Sequence, residues 1–269
     1  MVRELLKEAA QRLSKSESPM LDARVLLAKA MKKENAALIF DMPDKEQLAL
    51  FNKYIEKRAG GIPVAYILGE KEFMGLRFLL NSDTLIPRPD TECLVEKIIE
   101  ENKFSSPKIL DLCTGSGCIG ISLAKFISNS ECDLTDISEG AMDIAFKKAV
   151  LNGVDTRTKV FALDVLKDTI PEGYDIIVSN PPYIESDIVP TLEVSRFEPH
   201  RALDGGADGL DFYKKIAEKS YDALSPGGIL ALEIGYDQGE SVTKLLKRFS
   251  KVSLYRDYGN NDRVIIAIK

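Results

Sequence analysis

From about residue 91 onward the chain repeats a pattern that leaves few folds open: a short apolar run, a stretch with helical character, then another run. The runs fall at 108–112, 132–134 (continuing to Asp136), 159–163, 175–179 and 228–234, and helical segments separate most of them. Strands joined through helices pack as a parallel sheet with crossover connections. The last two runs, 251–256 and 263–268, are joined by 257–262 and read as an antiparallel hairpin, which makes the sheet mixed. The fold class is therefore α/β: a Rossmann-like, mostly parallel sheet with a terminal antiparallel hairpin, preceded by a small N-terminal helical domain.

That helical domain spans residues 1–72. Ser18-Pro19 supplies an N-cap and a first-turn proline before Leu21, Val25, Leu26 and Ala28. Asp44 with Gln47 has the spacing of a capping box, and it opens a helix with apolar residues at Leu48, Phe51 and Ile55 that Gly60-Gly61 closes. Residues 73–90 read as a hairpin connector: Phe73–Leu80 as one strand, a turn at Asn81-Ser82-Asp83, then Leu85-Ile86-Pro87-Arg88-Pro89. Residues 91–269 form the domain that carries the chemistry. The helical domain shows no catalytic constellation, so substrate recognition or plain structural support is its expected role.

Composition narrows the function classes. The chain has 269 residues, 45% hydrophobic and 29% charged, as expected of a soluble globular protein with a sizeable core. No apolar stretch approaches the roughly 20 residues that span a bilayer, and residues 1–11 mix charge with apolar residues and do not form a secretory signal. A cytoplasmic location is the expectation. The net charge of −6 argues against gripping a long duplex and for a protein or small-molecule substrate. Four cysteines make no CxxC pair, and there is one histidine, His200, so no metal site is expected. Cys113 and Cys118 flank a glycine-rich loop, where they serve as small packing residues or sense redox state.

The first strand, 108–112, runs into Cys113-Thr114-Gly115-Ser116-Gly117 and then a helix from Cys118 to Phe126. Gly115 and Gly117 permit tight turns and let a ligand lie against bare main chain. Asp136 ends the next strand about 20 residues beyond Gly117, the offset at which an acid meets ribose hydroxyls. A third strand ends in Asp164, placed to receive an adenine amino group beside Val165 and Leu166. Asp111, inside the first strand, supports the loop or meets the ligand's amino group. Strand-end aspartates also cap helices, which is the alternative for each acid. A nucleotide pocket results, without the full dinucleotide fingerprint.

The run 175–179 ends in Asn180-Pro181-Pro182-Tyr183. Two prolines stop a strand, since each lacks an N–H and fixes φ, and the residue before a proline is held extended. The Asn180 amide oxygen and the Pro181 carbonyl can then point into one cleft, with the Tyr183 ring beside them. Such a group suits a planar –NH2: two oxygens accept its hydrogens and an aromatic face stacks on its plane.

Taken together, Asp111–Gly117 and Asn180–Tyr183 resemble the class I S-adenosylmethionine-dependent methyltransferases that modify planar amino groups. Ile86–Glu92, Glu198–Tyr213 and Glu233–Gly239 narrow the resemblance to the HemK-type methyltransferases, which modify the glutamine amide of peptide chain release factors. The likeness covers nearly the whole chain. It implies S-adenosylmethionine as cofactor, with S-adenosylhomocysteine as product, and the Gly-Gly-Gln glutamine of class 1 release factors as substrate. It implies no nucleic-acid or membrane partner, and a monomer is expected. Cys113–Gly117 would approach the methionine part of the cofactor, with Asp111 behind, Asp136 the ribose, and Asp164 with Val165 the adenine. Asn180 through Tyr183 would hold the glutamine, with Arg88, Pro89 and Glu92 near the catalytic mouth. Asn180, Pro181 and Tyr183 are the expected catalytic residues. Cys113 stands where many relatives have glycine, Asp90 where glutamate is usual, and Val165 where some have an aromatic. Two other readings compete: an N6-adenine or N4-cytosine nucleic-acid methyltransferase, whose exocyclic amine presents the same –NH2, and a non-catalytic module binding S-adenosylmethionine or release factors.

Overall fold

The computed structural model describes residues 2–33 and 41–269, which divide into two compact units, 1–70 and 71–269. Helices α1 (Val2–Arg12), α2 (Pro19–Met31), α3 (Lys45–Ala59) and α4 (Val64–Leu68) belong to the first unit. Its core joins Leu26 and Leu27 of α2 to Phe51 and Ile55 of α3, all essentially inaccessible. The capping box at Asp44 and Gln47 forms with both reciprocal bonds. Ser18 occupies the N-cap of α2 but its side chain caps nothing. Ser16 fills in: its hydroxyl accepts from the Ser18 amide and donates to Asp22, which also receives Arg58. Leu21, read as a core position, is exposed, because the buried stripe of α2 runs through Ala23, Leu26, Leu27 and Ala30.

The connector differs from expectation. The hairpin pairs β1 (Glu70–Phe73) with β2 (Leu76–Leu79), so the chain turns inside the stretch read as one strand. Met74 and Gly75 both have positive φ, 52° and 69°, as a two-residue hairpin turn of primed type requires. Asn81-Ser82-Asp83 is an Asx-type turn, the Asn81 side chain accepting from the Asp83 amide, and residues 85–88 continue without strand pairing.

In the larger unit, β3 (Lys108–Leu112), β4 (Glu131–Asp136), β5 (Thr158–Ala162), β6 (Tyr174–Ser179), β7 (Leu224–Glu233), β8 (Lys251–Arg256) and β9 (Asp262–Ile268) form one seven-stranded sheet ordered β5-β4-β3-β6-β7-β9-β8. The first five strands of that order run parallel, and β9 is antiparallel to both neighbours. Helices α5 (Glu92–Glu101), α6 (Cys118–Phe126) and α7 (Glu139–Leu151) cover one face, α8 (Asp211–Ala223) and α9 (Gly239–Leu245) the other. Alternation along the strands builds this three-layer arrangement. Ile229 and Ala231 of β7 join the α5–α7 side while Leu230 and Leu232 join the α8–α9 side. Each fully buried leucine or isoleucine contributes about 1.5–3 kcal/mol by leaving water.

Candidate active site

Strand order reverses between β3 and β6, so the loops at their carboxyl ends diverge and leave a crevice. A cavity of about 290 Å³ lies there, lined by Cys113, Thr114, Gly115 and Ser116 after β3 and by Asp136 and Ile137 after β4. Leu163, Asp164 and Val165 after β5, Asn180 and Pro182 after β6, and Arg88, Thr91, Arg201 and Phe212 complete it.

The loop after β3 is shaped by three left-handed residues, Cys113 (φ 56°), Gly115 (φ 51°) and Gly117 (φ 78°). Gly117 tolerates no side chain, since a Cβ there would sit 2.9 Å from Ile121 Cδ1 and 3.1 Å from Ala145 Cβ. The Thr114 amide donates to the Thr135 carbonyl (2.8 Å), and the Gly115 amide to Asp136 Oδ2 (2.9 Å). Asp111 is wholly buried and is not on the cavity wall, so it supports the loop and does not meet a ligand directly. Its Oδ2 accepts from Thr114 Oγ1 (2.5 Å) and the Gly120 amide (2.9 Å) while Oδ1 has no partner among the described residues. Burial pushes this carboxyl up to about 7.

Asp136 engages both oxygens with backbone, Oδ2 with Gly115 and Oδ1 with the Ser138 amide (2.9 Å). Each carboxylate oxygen retains a second lone pair for a hydroxyl donor. Asp164 stands two residues past the end of β5 rather than on it, because pairing with β4 stops at Ala162. Its Oδ1 accepts from the Leu166 amide, and the Lys167 ammonium beside it holds the carboxyl below its usual range. The pocket thus combines bare glycine backbone, a strand-end carboxylate, and the apolar side chains of Ile137, Leu163 and Val165. That donor set fits a nucleoside: the carboxylate suits a diol, and the apolar walls suit a flat base.

Asn180 emerges from β6 beside the loop, and the Ser179 hydroxyl donates to the Leu112 carbonyl (2.8 Å) to fix the two strand ends together. Asn180 Nδ2 donates to Thr91 Oγ1 at 3.3 Å, which leaves Oδ1 as the group it offers the cavity. Pro182 lines the cavity; Pro181 and Tyr183 do not. The Tyr183 ring packs instead against the α8–α9 core, where it buries more apolar area than at a wet mouth, and burial pushes its phenol up to about 12. Its carbonyl accepts from Gln238 Nε2 (3.0 Å). Gly205 lies so close that a Cβ would stand 2.7 Å from Tyr183 Cα and 2.8 Å from the Pro182 oxygen.

Arg88 lines the cavity, yet its guanidinium is tied to buried Glu198 (2.6 Å), whose other oxygen accepts from the Ile86 amide (3.2 Å). Glu92 is not at the mouth; it accepts from the Met74 amide (2.7 Å) and pins the hairpin turn. Sequence reasoning gave no role to Thr91, Glu233 or Lys148. Glu233 ends β7, is 2% exposed and leaves Oε2 without a partner among the described residues. Lys148 on α7 is fully buried, donates from Nζ to the Ser116 carbonyl (3.0 Å) and lies 5.4 Å from the Phe78 ring centroid; burial lowers its ammonium to about 7. Thr91 and Glu233 lie inside or beside the connector and β7 segments that carry the resemblance, which was the available signal. A lysine in a helix gives none.

Residues 4–69 match the family model of the PrmC N-terminal domain, and residues 89–197 that of the methyltransferase small domain. The release factor glutamine methyltransferase of Clostridium botulinum is 39% identical over 282 residues, covering 100% of this chain and 99% of that protein. The protein of that name from Agrobacterium fabrum is 40% identical over 92% of this chain and 89% of its own length. Among solved structures, a methyltransferase from Pyrococcus furiosus superposes with TM-score 0.55 at 19% identity, covering 73% of this chain and 90% of that one. The hMettl16 catalytic domain in complex with the MAT2A 3'UTR hairpin 6 gives TM-score 0.58 at 18% identity, covering 72% and 76%. At these identities the two structures establish the fold alone.

Proposed function

This chain belongs to the release factor glutamine methyltransferase family, and we propose that it methylates the side-chain amide nitrogen of the Gly-Gly-Gln glutamine in class 1 peptide chain release factors. S-adenosylmethionine, when bound, supplies an electrophilic methyl group. The residues that would hold it line the cavity after β3, β4 and β5: the Cys113–Gly117 loop for its amino-acid part, Asp136 for the ribose, and Asp164 with Val165 for the adenine.

The observation that carries this reading is the orientation of Asn180, whose amide nitrogen donates to Thr91 and whose oxygen is the end left to the cavity wall beside the glycine loop. A carboxamide nitrogen is a poor nucleophile because its lone pair is delocalised into the carbonyl. Asn180 Oδ1 accepts one of its hydrogens at the cavity wall and the Pro181 carbonyl, between the wall residues Asn180 and Pro182, accepts the other, and well-aligned positioning supplies about 7–11 kcal/mol of barrier lowering. Positive character that grows on the nitrogen meets oxygen dipoles already aimed at it. No general base is needed, since the protonated N-methyl amide loses its proton to water; His200 stays structural, its carbonyl accepting from Leu203 and Asp204. Arg88 contributes at the mouth through its exposed edge. Residues 1–72 recognise the release factor, 73–90 connect, and 91–269 carry out the transfer. A monomer working in the cytoplasm without nucleic acid is in keeping with the net charge of −6 and with the lack, among described residues, of a helix able to cross a membrane.

The test is methyl transfer from labelled S-adenosylmethionine to purified bacterial release factor, beside a variant with the Gly-Gly-Gln glutamine replaced by alanine. Label on the first protein alone is expected. Asn180→Ala should abolish turnover with cofactor affinity nearly intact; equal loss of both would overturn the assignment of Asn180 to the substrate.

A further inference from the structure

Glu233 has no part in the mechanism above, yet its environment is costly. The carboxyl is 2% exposed and Oε2 has no hydrogen-bond partner among the described residues, a condition rare for a buried charged group. Its position explains what it touches. β6 and β7 run parallel with Ser179 opposite Leu232, so Asn180 and Glu233 are the next residues along neighbouring strands at the cavity end of the sheet. Thr91, at the start of α5, is 2% exposed and accepts from Asn180 Nδ2 at 3.3 Å, and the Thr91 and Asn180 side chains both neighbour the Glu233 carboxyl.

We propose that Glu233 is the positioning residue that decides which end of the Asn180 amide faces the substrate, acting on that amide directly and through the Thr91 hydroxyl. It thereby makes the site select a glutamine amide over a glutamate carboxylate. The inference rests on the assignment of Asn180 to the substrate glutamine. A carboxamide can turn over about its last torsion, presenting either an acceptor or two donors. A threonine hydroxyl has one hydrogen. With that hydrogen donated to the Glu233 carboxylate, Thr91 Oγ1 can only accept, and Asn180 must point Nδ2 inward and Oδ1 to the cavity. The turned-over amide would set two acceptors against each other in a buried site. An oxygen facing outward welcomes the –NH2 of glutamine and repels the carboxylate of glutamate.

The surroundings keep the carboxylate available for this. Arg263 on β9 faces it, but its Nε donates to Asp257 (3.1 Å) and its NH1 to the Ile234 carbonyl (3.2 Å), so it attracts without capturing. Asp90 before α5 opposes the charge, and Tyr183, Tyr213 on α8 and Cys118 on α6 are the other titratable groups within its field. Burial, the largest influence, raises the Glu233 carboxyl to about 7, so its protonation changes near neutrality. A protonated Glu233 no longer demands the Thr91 hydrogen, and the lock loosens.

The experiment measures binding of purified release factor, and of its Gly-Gly-Gln→Gly-Gly-Glu variant, to the full-length chain saturated with S-adenosylhomocysteine. The wild-type chain should prefer glutamine at pH 8 and lose preference as pH falls through about 7. Glu233→Met, which removes the acceptor for both donors, should reduce the preference roughly tenfold or more; Thr91→Val, which leaves the carboxylate to hold the Asn180 amide, should reduce it less, and the double variant no further than Glu233→Met. Glu233→Gln, neutral like the protonated carboxyl at every pH, should show at pH 8 the reduced preference that the wild-type chain shows below about pH 7, without the pH dependence. Weaker binding of both release factors by the same factor, with the ratio unchanged, would mark a merely structural role and overturn the proposal. Preference in Glu233→Met equal to wild type would do the same. Label transfer by the wild-type preparation is scored separately: a chain that neither methylates release factor nor distinguishes the two proteins removes the functional reading and the proposal with it.

Discussion

Gly205 offers a way to move the Asn180–Tyr183 turn without touching the cofactor pocket. Its φ is not in the left-handed region, so alanine there suffers from lack of space and not from backbone strain. The added Cβ would lie 2.7 Å from Tyr183 Cα, 2.8 Å from the Pro182 oxygen and 2.9 Å from the Tyr183 carbonyl carbon, all backbone atoms. Neither side can slide, because the Gly205 amide donates to the Ile184 carbonyl (2.8 Å) and the Gly205 carbonyl receives the Asp211 amide (3.0 Å). Relief from 2.7 Å to an ordinary contact of 3.4 Å displaces the turn by about 0.7 Å. A misplacement near 1 Å costs about 10²-fold in a reaction governed by orientation, so Gly205→Ala should lower kcat by roughly 10- to 100-fold. Overpacking should also destabilise the fold by about 1–3 kcal/mol. The assay is steady-state methyl transfer to release factor together with calorimetric binding of S-adenosylhomocysteine, which should change by less than about twofold because Gly205 is not on the cavity wall. A folded variant with wild-type kcat, or one that loses cofactor affinity in step with kcat, would refute the mechanical reasoning.

Three further perturbations have defined outcomes. Cys113→Gly removes a side chain from a left-handed residue (φ 56°) and should raise stability by up to ~1 kcal/mol in a thermal melt, with cofactor binding kept. Lys148 has its ammonium lowered from 10.5 to about 7, so between those values the unfolded chain binds the extra proton and stability from this group rises with pH; below about 7 the penalty is fully present. Stability of wild type relative to Lys148→Met, from urea titrations, should therefore climb between pH 7 and 10 by on the order of a few kcal/mol, and a flat difference would show the lysine is hydrated. Arg88→Ala strands buried Glu198, and after discounting for the 42% exposure of the Arg88 side chain it should cost about 1–2 kcal/mol, read as a lower urea midpoint.

Much of this architecture was legible because parallel strands write themselves as short apolar runs with fixed punctuation. The segment 108–112 matches β3 and Cys118–Phe126 matches α6, since a strand, a glycine turn and an apolar helix follow one another with no competing signal. The connector was misread for the opposite reason. Phe73–Leu80 looks like one alternating strand, and the turn depends on Met74 accepting a positive φ beside Gly75, which no propensity for methionine suggests. At the site, residues on strand ends could be placed because spacing alone brings Gly115, Asp136 and Asn180 to one edge of the sheet. Direction within that edge was not legible. Asp111 and Asp136 are both acids at neighbouring strand ends, and burial of one by its contacts with Thr114 and Gly120 is decided by packing. Tyr183 turned away for a similar reason, following the apolar face of α8.

The segments that give the chain its family likeness mostly hold other segments rather than face the cavity. Glu198 of one fastens Arg88 and Ile86 of another, Gln238 holds the Tyr183 carbonyl, and Gly205 presses on Pro182. Asn180 is thereby fixed from the connector through Thr91 and from beneath by the Ser179 hydroxyl on Leu112. A dipole stabilises developing charge best when it need not turn to do so, since reorientation would consume the energy gained. In the mechanism proposed, where two oxygens and no general base act on the amide, such fastening would do the work that a proton acceptor does elsewhere. Substitutions in these bracing residues should therefore lower kcat more than they raise the KM for S-adenosylmethionine, whereas changes at Asp136 should do the reverse.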